Sequence, residues 1–404
     1  MKNITIIGAG YVGVPTAAHW ASVHKITVFD IDENKINALK QVKNGEGDLY
    51  IHEPTLLETF KKNSSNIFAT TDINEALANA DVVFLAVGTP QRDDGRADLS
   101  YIFSAADLIG QSMQKNLLVI NKSTCPPGTA FCVKDRIEKQ ILQREANFSV
   151  VVGSCPEFLA EGTAMRDLAN PSRVVIGCDD MSGLKVLKEI FDVIYPGKSI
   201  FMDTVSAELT KYAANAMLAG RISFMNSLSI LCDKIGANIE SIRRGIGSDP
   251  RIGEKFLHAG FGYGGSCFGK DTKAISSYAN LLNSSLHMVD ETIKINDLIL
   301  DNFYSKIERH FDDLNGVTIL VWGVGFKADT DDIRDSRSIE ICKRLMGAGA
   351  KLLIYDPVSA ARDNFSRYVQ GNFEVVVDPY SRLDECSGLV IGNENKIFRD
   401  LDVE

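Results

Sequence analysis

The feature that most constrains this chain lies at its start. Gly8-Ala9-Gly10-Tyr11-Val12-Gly13 sits directly after an apolar run, Ile4 to Ile7, and directly before an alanine-rich stretch that reaches Ser22. A second apolar run, Ile26 to Phe29, closes on Asp30. Strand, glycine turn, helix and strand within thirty residues make a βαβ unit. The first glycine turns the chain tightly, the second lets backbone approach a pyrophosphate, and the third lets the helix pack closely on the strand. The helix N-terminus then attracts the phosphates. A lone GxGxxG is weak evidence, but here an acid follows 22 residues after Gly8, at the end of the next strand. Asp30 can accept hydrogen bonds from both hydroxyls of an adenosine ribose and would repel a 2′-phosphate. The residues therefore favour NAD over NADP.

Further apolar runs at Val82 to Val87, Leu117 to Ile120, Val150 to Val152 and Val174 to Ile176 alternate with helix-like stretches such as Ile102 to Met113 and Phe131 to Arg144. That alternation predicts a mostly parallel sheet covered on both faces. Two loops fall at its strand C-termini, the edge where open α/β sheets take ligands: Gly88-Thr89-Pro90, and Lys122-Ser123-Thr124 leading into Cys125-Pro126-Pro127-Gly128. From Val205 to about Lys234 the pattern becomes one long helix, with Leu209, Tyr212, Ala213, Ala216, Met217, Ile222, Met225 and Leu228 at mixed spacings of three and four. Its apolar positions cover more circumference than one domain can bury, which predicts at least a dimer. Helical patterns resume from about Thr272 to Phe311. Val317 to Trp322 then opens a second strand, turn and helix with Gly323 and Gly325, followed by a strand at Lys351 to Tyr355.

A chain of 404 residues has room for two or three domains, each with its own core. Its 53 acidic and 43 basic residues give a net charge of −10, which argues against nucleic acid or an anionic membrane as the main partner. Any polyanionic ligand needs a locally basic pocket. Eight cysteines are scattered without CxxC or Cys/His ligand spacing, so no metal site is expected and a reducing cytoplasm fits best. No signal-like start or run of ~18 apolar residues is present.

The basic pocket has one candidate, Asp249 to Lys273 (DPRIGEKFLHAGFGYGGSCFGKDTK). Glycines at 260, 262, 264 and 265 would let backbone amides approach a ligand, and Arg251, Lys255, Lys270 and Lys273 supply positive charge. Cys267 stands three residues before Lys270 and four before Asp271, a thiol with a cation and a possible base nearby. Lys211 and Asn215 are four apart on the long helix, so both project from one face. Such a pair could hold an alkoxide or oxyanion; on spacing alone it could equally be a solvated lysine and a surface amide. Glu157, within Cys155-Pro156-Glu157-Phe158-Leu159-Ala160-Glu161-Gly162, reads either as an acid/base group or as a helix-start acid.

Taken together, GAGYVG, VGTP, KST with PPGT, PEFLAEG, the K-x3-N helix, DPRIG, GYGGSCF-x-KD and GFKADTDDIRDS follow one another in an order that resembles the UDP-glucose/GDP-mannose dehydrogenase family over essentially the whole chain. DGRADLSYI and RIGEKFLHAGFGYGGSCF resemble its UDP-glucose 6-dehydrogenase branch more than the GDP-mannose branch. The resemblance implies an α/β fold of two Rossmann-like domains with parallel sheets, joined by a long central helix and a helical middle domain. The implied division is an NAD-binding domain at 1–203, a dimerising and catalytic domain at 204–312, and a UDP-sugar domain at 313–404. It further implies a homodimer or larger homo-oligomer that oxidises UDP-glucose twice with NAD, taking the C6 alcohol to a carboxylate.

Carried over by resemblance, Cys267 would trap the C6 aldehyde as a thiohemiacetal that becomes a thioester. Lys211 and Asn215 would stabilise oxyanions, Asp271 and Thr124 would position water, and Glu157 would assist proton transfer. Gly8, Gly10, Tyr11, Val12, Gly13, Asp30, Lys35, Thr89, Thr124, Glu161, Lys270 and Arg334 match cofactor positions. Alongside Glu157, Lys211 and Asn215, the UDP-sugar positions are matched by Phe158, Leu159, Arg251, Phe256, His258, Tyr263, Gly264, Phe268, Phe326 and Lys327. His258 stands where relatives often carry lysine, and Gly269 where they often carry proline. Asp400 to Glu404 fall about where relatives continue into one more strand with an arginine that reaches the UDP-sugar, so the last domain is expected to be shortened. Three other readings remain open: the same chemistry on a UDP-N-acetylhexosamine or GDP-mannose, a two-electron β-hydroxyacid dehydrogenase, which would lack the cysteine, and a nucleotide sensor without turnover.

Overall fold

In the computed structural model, residues 1–398 are described, and the chain divides into two compact units, Met1–Ala213 and a second that begins at Ala214. The terminal segment Asp400 to Glu404 lies outside the described residues.

Unit one is built on eight strands: β1 (Asn3–Ile7), β2 (Lys25–Phe29), β3 (Ile67–Thr70), β4 (Val82–Leu85), β5 (Leu117–Asn121), β6 (Val150–Ser154), β7 (Val174–Gly177) and β8 (Ser199–Met202). They order as β3-β2-β1-β4-β5-β6-β7-β8. Every neighbouring pair is parallel except β6 and β7, which meet antiparallel at Ser154 and Gly177. Residues along a strand point alternately to the two faces. Ile4, Ile6, Phe84 and Ile120 accordingly enter one core, and Ile7, Val83, Leu85 and Val119 the other. Burial on both faces explains why these strands read as unbroken apolar runs. The two edge strands, β3 and β8, escaped the sequence pattern. Phe68 on β3 and Ile200 and Phe201 on β8 are exposed, and each run is short.

A 32-residue helix, Thr204–Ile235, starts in unit one and runs on into the second. Val205, Leu209, Met217, Phe224, Leu231 and Ile235 are exposed along it, an apolar stripe at helical spacing. In the second unit three helices follow, Ile239–Gly247, Gly265–Leu281 and His287–Phe311. The Gly265–Leu281 helix corrects the sequence reading, which began helical structure at about Thr272. Gly264 and Gly265 have low helix propensity and hide its first turn, so Cys267, Lys270 and Asp271 lie on a helix and not in a glycine loop. Strands β9 (Thr318–Trp322), β10 (Lys351–Tyr355), β11 (Phe373–Val375) and β12 (Gly388–Ile391) then form a parallel sheet ordered β11-β10-β9-β12. Buried Asp356, just past β10, accepts from Val324 N at 2.8 Å and Gly325 N at 3.2 Å. It pins the second glycine turn as Asp30 pins the first, where Ala9 N donates to Asp30 Oδ2 at 2.7 Å.

Thr55 and Glu145, non-glycine residues of unit one, have positive φ, and the β-branched one carries the greater strain. Thr55, which precedes the helix Leu56–Asn63, has φ +64, a left-handed conformation that a β-branched residue adopts only at a cost. Relief of ~1–2 kcal/mol of local strain exceeds the ~0.5–1 kcal/mol that glycine loses through greater unfolded-state freedom. Thr55→Gly is therefore expected to raise the unfolding free energy by up to about 1 kcal/mol, read as a higher urea midpoint with an unchanged slope.

Candidate active site

At the first glycine turn, Gly8 has φ +111, and a Cβ there would lie 2.4 Å from Ala86 O. A Cβ on Gly13 would lie 1.9 Å from Gly8 O. Both glycines are demanded by close packing of strand, turn and helix. Gly10 differs: nothing stands within 4 Å of where its Cβ would be, so the turn's backbone is open at the helix N-terminus. Asp30 accepts from Ala9 N and, at 3.0 Å, from Asp32 N, and Lys35 Nζ lies 3.6 Å from it. An ionised carboxylate has about four acceptor sites, so two N–H bonds leave capacity for the hydroxyls of a ribose. Open backbone at a helix N-terminus beside that carboxylate fits a dinucleotide. Tyr50 OH donates to Ala9 O at 2.7 Å and braces the turn from the side.

The turn is tied to the Glu157 segment. Gly162 N donates both to Tyr11 OH, at 3.1 Å, and to a carboxylate oxygen of buried Glu53, whose other oxygen accepts from Ala164 N at 3.0 Å. Val12 immediately precedes the helix Gly13–Trp20. At the strand ends, Thr89 Oγ1 donates to Thr124 O at 2.8 Å, joining the two loops singled out by sequence.

Glu157 is buried, and its Oε1 lies 3.0 Å from Nζ of Lys211, which is only 4% exposed. Leu159 N donates to Glu157 Oε2. Burial pushes the Glu157 carboxyl up, but Lys211, the Leu159 N–H and Lys122 together outweigh it and hold the group below the usual range. Phe158 is flanked by Lys211 Nζ at 5.4 Å and the Arg173 guanidinium at 3.7 Å from its ring centre. Lys122, Glu157, Phe158 and Arg173 share a cavity of about 110 Å³. Glu161 is half-buried at the end of this segment. The ion pair excludes the solvated-surface reading of Lys211, and Glu157 lies in a non-helical segment, which excludes the helix-start reading.

In the second unit, half-buried Cys267 sits in the first turn of its helix, where aligned backbone dipoles favour a thiolate. Asp271, one turn later and 1% exposed, accepts from Asn215 Nδ2 at 2.6 Å and from Lys270 Nζ at 2.5 Å. Sequence reasoning set Lys270 near the thiol; its ammonium forms an ion pair with Asp271 on the same helix. The glycine cradle needs a second correction. Added Cβ atoms would meet Asn296 Oδ1 at 2.4 Å from Gly262, Asp335 O at 2.3 Å from Gly264, and the Phe326 ring at 2.6 Å from Gly265. Only Gly260 faces open space, so the other three serve the protein's own packing.

Phe256 and Tyr263 lie 6.0 and 6.1 Å from the Phe268 ring, forming an aromatic cluster beside Cys267. Arg251 and Arg334 are exposed and paired with near neighbours, Asp249 at 2.6 Å and Asp332 at 2.7 Å. His258 is exposed, and Lys327 Nζ lies 5.3 Å from the Phe326 ring centre. Sequence reasoning missed Glu53, the placement of Lys122 beside Glu157, and Asn296. None stands in a local pattern with the residues it serves.

Comparison with known proteins agrees with these features. Residues 2–195 match the NAD binding domain model of the UDP-glucose/GDP-mannose dehydrogenase family, 205–298 its central domain and 320–404 its UDP binding domain. A UDP-glucose 6-dehydrogenase from Rhizobium meliloti is 41% identical over 411 residues, covering 100% of this chain and 91% of that one. Among solved structures, a UDP-glucose dehydrogenase from Pyrobaculum islandicum superposes with a TM-score of 0.92 at 31% identity, over 100% of this chain and 92% of the other. A UDP-D-ManNAc dehydrogenase from Pyrococcus horikoshii shares the fold with a TM-score of 0.82 at 23% identity, over 99% and 91% of the two chains.

Proposed function

The chain belongs to the UDP-glucose/GDP-mannose dehydrogenase family and takes NAD as its cofactor, and on that premise we propose that it oxidises UDP-glucose at C6 to UDP-glucuronate through a covalent bond to Cys267. The observation that carries this reading is the half-buried Cys267 in a first helical turn, with Asp271 one turn behind it and fixed from two sides. A two-electron alcohol dehydrogenase or a nucleotide sensor needs no such thiol.

The open turn at Gly10 and the Asp30 carboxylate would hold NAD, which would supply the oxidant receiving one hydride from C6 in each of the two oxidations, while the C6 hydroxyl proton leaves to solvent in the first. Between them, the Cys267 thiolate adds to the aldehyde carbon to form a thiohemiacetal. Loss of the second hydride leaves a thioester, which water cleaves to the carboxylate and the Cys267 thiolate, its two protons passing to protein carboxylates. The second carboxylate oxygen thus comes from water. Asp271 accepts a proton from that water, and the Thr124 hydroxyl is a further partner for it. Lys211 and Asn215, one turn apart on the long helix, donate to the C6 oxyanions. Glu157, kept ionised by Lys211, takes up the proton released as the thioester is cleaved. The reading retains the three-domain division at 203 and 312, a cytoplasmic setting, and a homodimer or larger assembly covering the apolar stripe of the long helix.

Asp271→Asn separates formation of the thioester from its hydrolysis. The nucleophile stays, the base is lost, and a covalent adduct of sugar-nucleotide mass should accumulate on Cys267 when the variant is mixed with NAD and UDP-glucose. Intact-protein mass spectrometry, with NADH counted per sugar for the parent, decides it. One NADH, no adduct, or turnover only with a UDP-N-acetylhexosamine or GDP-mannose overturns the assignment.

A further inference from the structure

The backbone around Cys267 raises a hydrogen-bonding question. Tyr263 is buried, yet it belongs to neither helix nor strand, so its N–H and C=O need partners from elsewhere. Both come from one side chain. Asn296 Oδ1, on the helix His287–Phe311, accepts from Tyr263 N at 2.7 Å, and Asn296 Nδ2 donates to Tyr263 O at 3.0 Å. The amide reproduces the paired exchange that a neighbouring strand gives in a sheet. The chain is shaped to admit it: Gly262 has φ +110, and a Cβ there would lie 2.4 Å from Asn296 Oδ1. The loop's other end is held from the long helix, where fully buried Asn226 Oδ1 accepts from Gly260 N at 2.9 Å. Asn296 is itself anchored, because Arg337 donates to its carbonyl and, at 2.8 Å, to Asp297. Tyr263 precedes the Cys267 helix by two residues, so whatever fixes Tyr263 fixes the turn that carries the thiol.

We propose that Asn296 is a positioning residue for Cys267, holding the nucleophile's helix through the Tyr263 backbone. Its effect on turnover rests on the covalent reading above; its effect on the thiol does not. Asn296→Asp keeps the shape and the acceptor for Tyr263 N but sets a carboxylate oxygen against Tyr263 O. Gly262→Ala perturbs the same contact from the opposite side and leaves Asn296 intact.

The experiment has two readouts. Alkylation of Cys267 by iodoacetamide without substrate, mapped by peptide mass across pH 6–9, should change its rate by about threefold or more in both variants, while exposed Cys132 alkylates as in the parent. In turnover with UDP-glucose, kcat should fall ~10-fold or more with KM within about threefold, since misplacement of a reacting group acts on the transition state. If Asn296→Asp does not fold, Gly262→Ala decides alone. Parent-like alkylation and kcat in a folded variant overturn the proposal. So does a general rise in reactivity at every cysteine together with weaker NAD binding, which marks loosening of the whole protein. If the parent fails to oxidise UDP-glucose, the functional reading falls while the alkylation data still decide the role of Asn296.

Discussion

Cys267→Ala is expected to bind NAD and UDP-glucose as the parent does and to release no UDP-glucuronate above ~0.1% of the parent rate, the scale of loss when a covalent nucleophile is removed. Removing the thiol touches neither the Asp30 turn nor the Asn215 to Asp271 hydrogen bond, so cofactor affinity and thermal midpoint should hold. The first oxidation needs no nucleophile and should give a single turnover of NADH. Cys267→Ser should fail almost as completely. A hydroxyl ionises far less readily than a thiol near neutral pH, even in a first helical turn, and an oxygen ester resists hydrolysis more than a thioester. Quenched-flow counting of NADH, with product mass analysis, separates the two steps. Parent-rate UDP-glucuronate from either variant would remove the covalent mechanism.

What the sequence revealed and what it concealed follow from how local each interaction is. The βαβ unit at the start was legible because every part of it lies within thirty residues and each glycine has a steric duty the structure bears out at Gly8 and Gly13. The parallel sheet was legible because its central strands are apolar on both faces. Edge strands β3 and β8 lack that signature and were lost. The Cys267 helix lost its first turn because its opening glycines mask helical periodicity. Long-range pairs were hidden altogether: Glu157 with Lys211, Asn215 with Asp271, and Asn296 with Tyr263 join positions that share no spacing rule. Sequence reasoning placed Lys211, Asn215 and Asp271 among the chemical residues and set Lys270 near the thiol and the cofactor, but spacing alone could not show its ion pair with Asp271.

Lys211→Ala is expected to damage activity and stability together, with opposite pH signatures that identify the cause. Loss of a primary oxyanion donor should slow both oxidations by on the order of 100-fold or more. The same change leaves Glu157 buried without its closest cation, a situation that costs ~3–5 kcal/mol when one partner of a buried pair is removed. In the parent, the Glu157 carboxyl is held below its unfolded value, so its contribution to stability is present above that value and fades as pH falls through the folded one. In the variant, burial dominates, although Lys122 and the Leu159 N–H remain, and the folded value rises above the unfolded one. The penalty is then absent at low pH and grows as pH climbs between the two values. The stability gap between parent and variant should thus be widest at neutral pH and narrow towards pH 4, where the activity loss persists. Adding Glu157→Gln to Lys211→Ala removes the orphaned charge and should recover most of the lost stability but none of the rate. Urea unfolding of the four proteins of this cycle at pH 7 and pH 4.5 provides the check. A pH-independent gap, or no recovery in the double variant, would mean that Lys211 stabilises the fold by packing its stem and not by answering the charge on Glu157.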